Sequence, residues 1–152
     1  MTLELASPAF DDGAPIPETY GYTESNVNPP LTFDGVPEGA ESLALVLDDP
    51  DAVEPAGKVW DHWVVWNIPP DLGGAPEDWV PASVGADEGK NDYGDPGYGG
   101  PNPPDGEHTY RFVLYALDAT LSLDAGTTAE DLRTAIEGHV LAEATLTGTY
   151  AP

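Results

Sequence analysis

At 152 residues, with 40% apolar side chains and four tryptophans, the chain is one domain's worth and long enough to bury a single core, which excludes a disordered acidic tail despite a formal net charge of -24. Twenty-eight acids stand against four bases, Lys58, Lys90, Arg111 and Arg133, too few to neutralise a phosphate backbone, so no nucleic-acid partner is expected. The absence of cysteine excludes a disulfide framework, a thiol nucleophile and a thiolate metal site.

The opening MTLELASPAF has neither the basic nor the apolar region of a secretory signal, and no apolar run approaches the roughly 20 residues of a membrane span. The mature chain is expected to start near Met1 and to be cytoplasmic. Residues 2–5 form a short opening strand, and residues 7–30 a polar, proline-punctuated wrapping loop. Residues 31–33 are a brief extended piece ended by Gly35 and Pro37. Residues 42–47 alternate Leu43, Leu45 and Leu47 against Ala44 and Val46, the pattern of a core strand. It runs into Asp48-Asp49-Pro50-Asp51, where proline ends the ladder and three carboxylates crowd one strand end.

Residues 60–67, WDHWVVWN, follow after a short connection and are expected to pair antiparallel with that strand. Three tryptophans and two valines divide between the two faces, so both are covered and the tryptophans read as core, while His62 sits near the leading end beside Asp49. Residues 68–107 hold nine of the 17 glycines and eight of the 17 prolines, and a loop this long reads as functional. Within it NDYG (91–94) and YGGPNPP (98–104) suit a rigid rim, with Trp79 a rim or lid side chain. His108–Leu117 is the third strong strand, with His108, Tyr110, Phe112 and Leu114 on one face. Thr127 with Glu130 makes a capping box that opens a short helix, Leu132 and Ile136 face the core, and Gly138 supplies the stop. Val140–Tyr150 closes the chain as an extended segment. This order predicts a single domain over 1–152: a mainly β fold, an antiparallel β sandwich with one short C-terminal helix and long Gly/Pro-rich loops.

No GxSxG, GxxxxGK[ST] or HExxH motif occurs, nor a GxGxxG after a strand, so the hydrolase, NTPase and dehydrogenase templates lack their anchors. Asp49, His62, His108 and Tyr110 remain, each near the end of an expected strand. By themselves they read either as core-edge residues satisfied by hydrogen bonds or as the wall of a pocket. Asp48 and Asp51 read as turn formers or solvated acids, Lys58 and Lys90 flank the rim, and His139 is a helix-end histidine. Two histidines and an aspartate match a catalytic zinc count, but no spacing demands their convergence, so neither a metal nor a cofactor is expected.

The segments SLALVLDDPDA (42–52), DHWVVWNIP (61–69), NDYG (91–94) and GGPNPPDGEHTYRFVLYAL (99–117) resemble the phosphatidylethanolamine-binding protein (PEBP) family in its bacterial and archaeal branch. SPAFDDGAPIP (7–17), NVNPPL (26–31) and HVLAEATLTGTY (139–150) extend the resemblance over nearly the whole chain. It implies a sandwich of antiparallel sheets with a small anion-binding pocket at one end, lined by Asp49, His62, Pro104, His108 and Tyr110. The chain departs from the family pattern at three places. Val53 stands where DPDAP ends in proline, with Pro55 two residues on; Thr109 replaces the arginine of HRY, with Arg111 beside it on the opposite face; and Gly57 stands where eukaryotic members carry a pocket tyrosine. The implied ligand is a phosphate-like or carboxylate small molecule or a phospholipid head group. Two imidazoles and a phenol can donate hydrogen bonds to it, and Asp49 can raise the pKa of a neighbouring histidine toward the imidazolium an anion needs. A protein target, regulated or inhibited, is the other implied partner. The alternative is an enzyme using His62 or His108 as general base on a phosphorylated or carboxylated small molecule, against which stands the lack of an obvious nucleophile.

Acids spread along the whole chain, with lysine nearly absent, point to a halophilic protein, because screening shortens the range of self-repulsion to about 3 Å at 1 M salt. Thermal unfolding followed against KCl is expected to show stability rising with salt, and full stability in dilute buffer would contradict this reading.

Overall fold

The computed structural model describes residues 2–152 and builds two antiparallel sheets; Met1, the expected start, lies outside the described residues. In chain order the elements are β1 (Glu4–Ala6), β2 (Leu31–Asp34), β3 (Ser42–Asp49), the single-turn helix α1 (Val53–Ala56), β4 (Trp60–Ile68), β5 (Gly74–Ala75), β6 (Asp87–Glu88), β7 (His108–Leu117), helix α2 (Ala129–Ile136) and β8 (Val140–Tyr150). The smaller sheet runs β1-β2-β5 and the larger β6-β4-β3-β7-β8. The mainly β, antiparallel architecture read from the sequence is the one found.

β3 is buried from end to end because it sits at the centre of the larger sheet with both faces covered. Leu43, Leu45 and Leu47 join Trp63, Val65, Phe112 and Leu114 on the face that meets Leu5, Leu31 and Phe33 of the smaller sheet. Ala44 and Val46, with Val64 and Trp66, form the other face, which Ala129, Leu132 and Ile136 of α2 cover. The helix begins one residue later than expected. Its capping box is Thr128 with Asp131, because Thr127 is buried and its carbonyl accepts the Lys90 N–H at 2.8 Å.

Residues 68–107 carry more structure than their composition suggests, since they supply the edge strands β5 and β6 and a tight helical turn at Pro81–Val84. Trp79 is not at the rim. Its ring is buried edge-on against Trp63 at 6.2 Å, and its backbone N–H donates to Asn28 Oδ1 at 2.8 Å.

At the end of β3 the pleat sends Asp48 and Asp49 to opposite faces. Asp48, expected as a turn former or a solvated acid, is buried on the α2 side, where Arg111 Nε and Nη2 and Arg133 Nη2 all donate to it at 2.9 Å. Two of the four bases therefore converge on one carboxylate and tie β3, β7 and α2 together. Asp61 lies beside them, and its pKa is raised by burial against the opposing pull of Arg133. Both arginines are partly exposed and can turn to water, so Asp48→Ala is expected to cost about 1–3 kcal/mol, the lower side of a broken buried ion pair. Urea unfolding measures it, and an unchanged midpoint would contradict the bracket.

Candidate functional site

Strict alternation along β4 puts His62 with Val64 and Trp66, under α2. The register between β3 and β4 shifts instead, from Leu47 opposite Trp63 to Asp48 opposite Asp61, which leaves His62 as the extra residue. The shift turns its ring to the side of Asp49 and Tyr110. Gly99 holds it there: the His62 carbonyl accepts the Gly99 N–H at 2.9 Å, and His62 Nδ1 lies 2.7 Å from the Gly99 carbonyl oxygen. The close approach requires glycine, because a Cβ on Gly99 would stand 2.5 Å from the Tyr93 ring and one on Gly100 2.2 Å from the Tyr20 carbonyl oxygen. The Asn91 side chain binds its own loop through Gly97, Tyr93 and Asp95, and the Tyr93 hydroxyl donates to the Gly100 carbonyl at 2.9 Å.

Asp49, His62, Pro104, His108 and Tyr110 line one cavity of about 200 Å³. Trp60, Tyr93, Asn102, Ala52 and Ala56 complete its wall. Trp60 was read as core; its signal was its place opposite Asp49, visible only once the register shift is known. Tyr93 belongs to the NDYG segment already read as rim, and it packs edge-on against both Trp60 and His62.

Asp49 is fixed at both oxygens. Oδ1 accepts the Asp51 N–H at 2.9 Å, and Oδ2 lies 2.6 Å from His108 Nδ1. Asp51 in turn accepts the Thr109 N–H at 2.8 Å, so the turn after β3 is tied to the start of β7 where the family arginine is missing. The turn itself closes without the family's second proline, through the tight helical turn Pro50–Ala52, α1 and a left-handed Gly57. At the rim Lys58 pairs with Asp92 at 3.0 Å. His139 pairs with Asp118 at 2.8 Å, away from the cavity.

The two histidines differ in charge. His108 has a carboxylate at each ring nitrogen, Asp49 at Nδ1 and Asp105 at Nε2, both 2.6 Å away, and a ring that donates from both nitrogens is an imidazolium. Burial opposes that charge, but the two carboxylates outweigh it and raise the His108 pKa. Burial lowers the pKa of His62, opposed only in part by the Gly99 carbonyl and the charge of Asp49. Tyr110 Oη, with Asp49 and the Asn102 backbone nearby, and Trp60 Nε1 are buried without a well-formed hydrogen bond. Burial, and then the charge of Asp49, push the Tyr110 pKa far above its usual value, so the phenol stays protonated and able to donate. Among the described residues, no cluster of His, Asp and Glu side chains is placed to hold a metal ion.

Together these observations define an antiparallel β sandwich with a small, largely apolar cavity at its strand ends, into which Asp49, His62, His108 and Tyr110 bring polar groups. The chain belongs to the phosphatidylethanolamine-binding protein family, whose model matches residues 6–151. A UPF0098 protein from Methanothermobacter thermautotrophicus is 50% identical over 151 residues, covering 97% of this chain and 98% of that protein. The crystal structure of a PEBP homolog from Chlamydia trachomatis superimposes with a TM-score of 0.90 at 41% identity, covering 98% of this chain and 97% of that one. YBCL from E. coli, a member of the mammalian PEBP family, also gives 0.90, at 31% identity over 99% of this chain and 98% of its own. Among the described residues no helix is long and apolar enough to cross a membrane.

NMR titration of the imidazoles is expected to place His108 above and His62 below the ordinary value of about 6.5. The raised pKa of His108 contributes stability that is complete below about pH 6.5 and lost as pH rises through the folded value. The lowered pKa of His62 contributes stability present above about pH 6.5 and lost as pH falls through its folded value. The reverse order of the two values would contradict the Asp49–His108–Asp105 assignment.

Proposed function

We propose that the protein binds a small oxyanion, a phosphate-like or carboxylate group such as a phospholipid head group carries, in the cavity lined by Asp49, His62, Pro104, His108 and Tyr110, and that it binds without turnover. One observation carries this reading: two buried donors, Tyr110 Oη and Trp60 Nε1, have no partner in the protein although both residues line the cavity. An unpaired buried hydroxyl costs about 1–3 kcal/mol, and ligand oxygens accepting these hydrogen bonds would remove that cost. The His108 imidazolium supplies the single positive charge of the wall. A regulatory or inhibitory partnership with another protein, as the family resemblance implies, is a further layer of the same reading. A cytoplasmic location and adaptation to concentrated salt are proposals of the same kind, the second supported by the net charge of -24.

A second reading, an enzyme using His62 as general base on a phosphorylated or carboxylated small molecule, is favoured by the lowered pKa of His62 and by an Nε2 that makes no hydrogen bond among the described residues. Turnover of such a metabolite that disappears in His62→Ala would select it.

The binding reading separates stability from function at Tyr110. Tyr110→Phe removes an unsatisfied hydroxyl and is expected to leave Tm unchanged or raise it, by about 2–4 °C for a gain of about 1 kcal/mol, while weakening inorganic phosphate binding about tenfold. Thermal melts and calorimetric titration read the two effects, and phosphate affinity equal to wild type would refute the proposed site.

A further inference from the structure

The carboxylates flanking His108 are not equivalent. Asp49 is held at both oxygens and its side chain is 4% exposed, whereas Asp105 reaches His108 Nε2 through Oδ1 alone and its side chain is 51% exposed. Asp105 belongs to the bend that leads into β7, next to Gly106 at φ 152, and no other side-chain hydrogen bond fixes it among the described residues. One carboxylate is built into the fold. The other rests on the imidazolium from the solvent side.

We infer that Asp105 is an internal stand-in for the ligand and a filter on it: its carboxylate occupies the His108 Nε2–H that an entering phosphate or carboxylate takes, and it swings out to solvent when that anion binds. The inference rests on reading the cavity as an oxyanion site. With Asp105 in place, Asp49, His108 and Asp105 sum to one negative charge, and Lys58 at the rim is already paired with Asp92. An anion entering then meets repulsion and finds no free ring donor on His108. With Asp105 turned out, Asp49 and His108 sum to zero, and His108, whose ring lines the cavity, regains a free Nε2–H. A neutral polar molecule cannot displace a carboxylate from an imidazolium, since a charge-assisted hydrogen bond is about twice as strong as a neutral one. The exchange therefore selects charged oxyanions over alcohols and amides of the same size.

The test is calorimetric titration of inorganic phosphate into the wild type, Asp105→Ala and Glu107→Ala, with Asp105→Asn beside them to keep the size of the loop side chain. Glu107 is exposed, two residues away and makes no hydrogen bond to His108 among the described residues, so its removal reports the loss of one nearby charge alone. If the closed form holds about nine molecules in ten, Asp105→Ala binds phosphate about tenfold more tightly than wild type and Asp105→Asn falls between. Glu107→Ala stays within about twofold. Equal or weaker binding by Asp105→Ala, or an equal gain in Glu107→Ala, would overturn the inference while leaving the oxyanion site intact. Phosphate bound by none of the four proteins would overturn both.

Discussion

The structure depends on two consecutive carboxylates at the end of one buried strand. Because alternate side chains of β3 point to opposite faces, Asp48 and Asp49 cannot share a partner, and each gathers its own cations. Asp48 takes both arginines on the α2 side and fixes the helix to the sheet. Asp49 takes His108 on the cavity side and fixes the charge of the site. The scaffold and the cavity wall are thus set by the same pleat, one residue apart. A slip of one residue in β3 would turn Asp49 toward the arginines and Asp48 toward His108, exchanging the two carboxylates' roles.

The use of positive charge follows from its scarcity. Of the four bases, two are committed to Asp48 and Lys58 to Asp92 at the rim. If the cavity takes an anion, as proposed, so acidic a chain has few surface lysines to attract it, and the charge is generated in place, from a histidine whose pKa its carboxylate neighbours raise. That solution needs Asp49 to be immobile, which explains why its second oxygen is occupied by the Asp51 N–H.

The long strands were legible because their alternation is strong: Leu43, Leu45 and Leu47, and Phe112 and Leu114, leave no other face for the core. β5 and β6 were not, since two-residue strands carry no period. The capping box was misplaced by one because Thr127 and Thr128 each precede an acid at the same spacing, and only the burial of Thr127 decides between them. Asp48 could not be told from the other 27 acids by any local pattern, because what distinguishes it is the approach of Arg133 from α2. The cavity residues were reached by strand ends and family resemblance together, yet alternation alone turns His62 to the wrong face. A register shift leaves no mark in composition, which is also why Trp60 was assigned to the core. Asp105 carried no signal, being one more acid in a Gly/Pro loop.

The central claim is that the cavity is an oxyanion site organised by the His108 imidazolium and by the unpartnered donors of Tyr110 and Trp60. A crystal structure of the protein soaked in phosphate tests it most directly. The expected result is a phosphate in the cavity with oxygens about 2.6–3.1 Å from Tyr110 Oη and Trp60 Nε1. A cavity holding only water, with phosphate bound elsewhere on the surface, would contradict it.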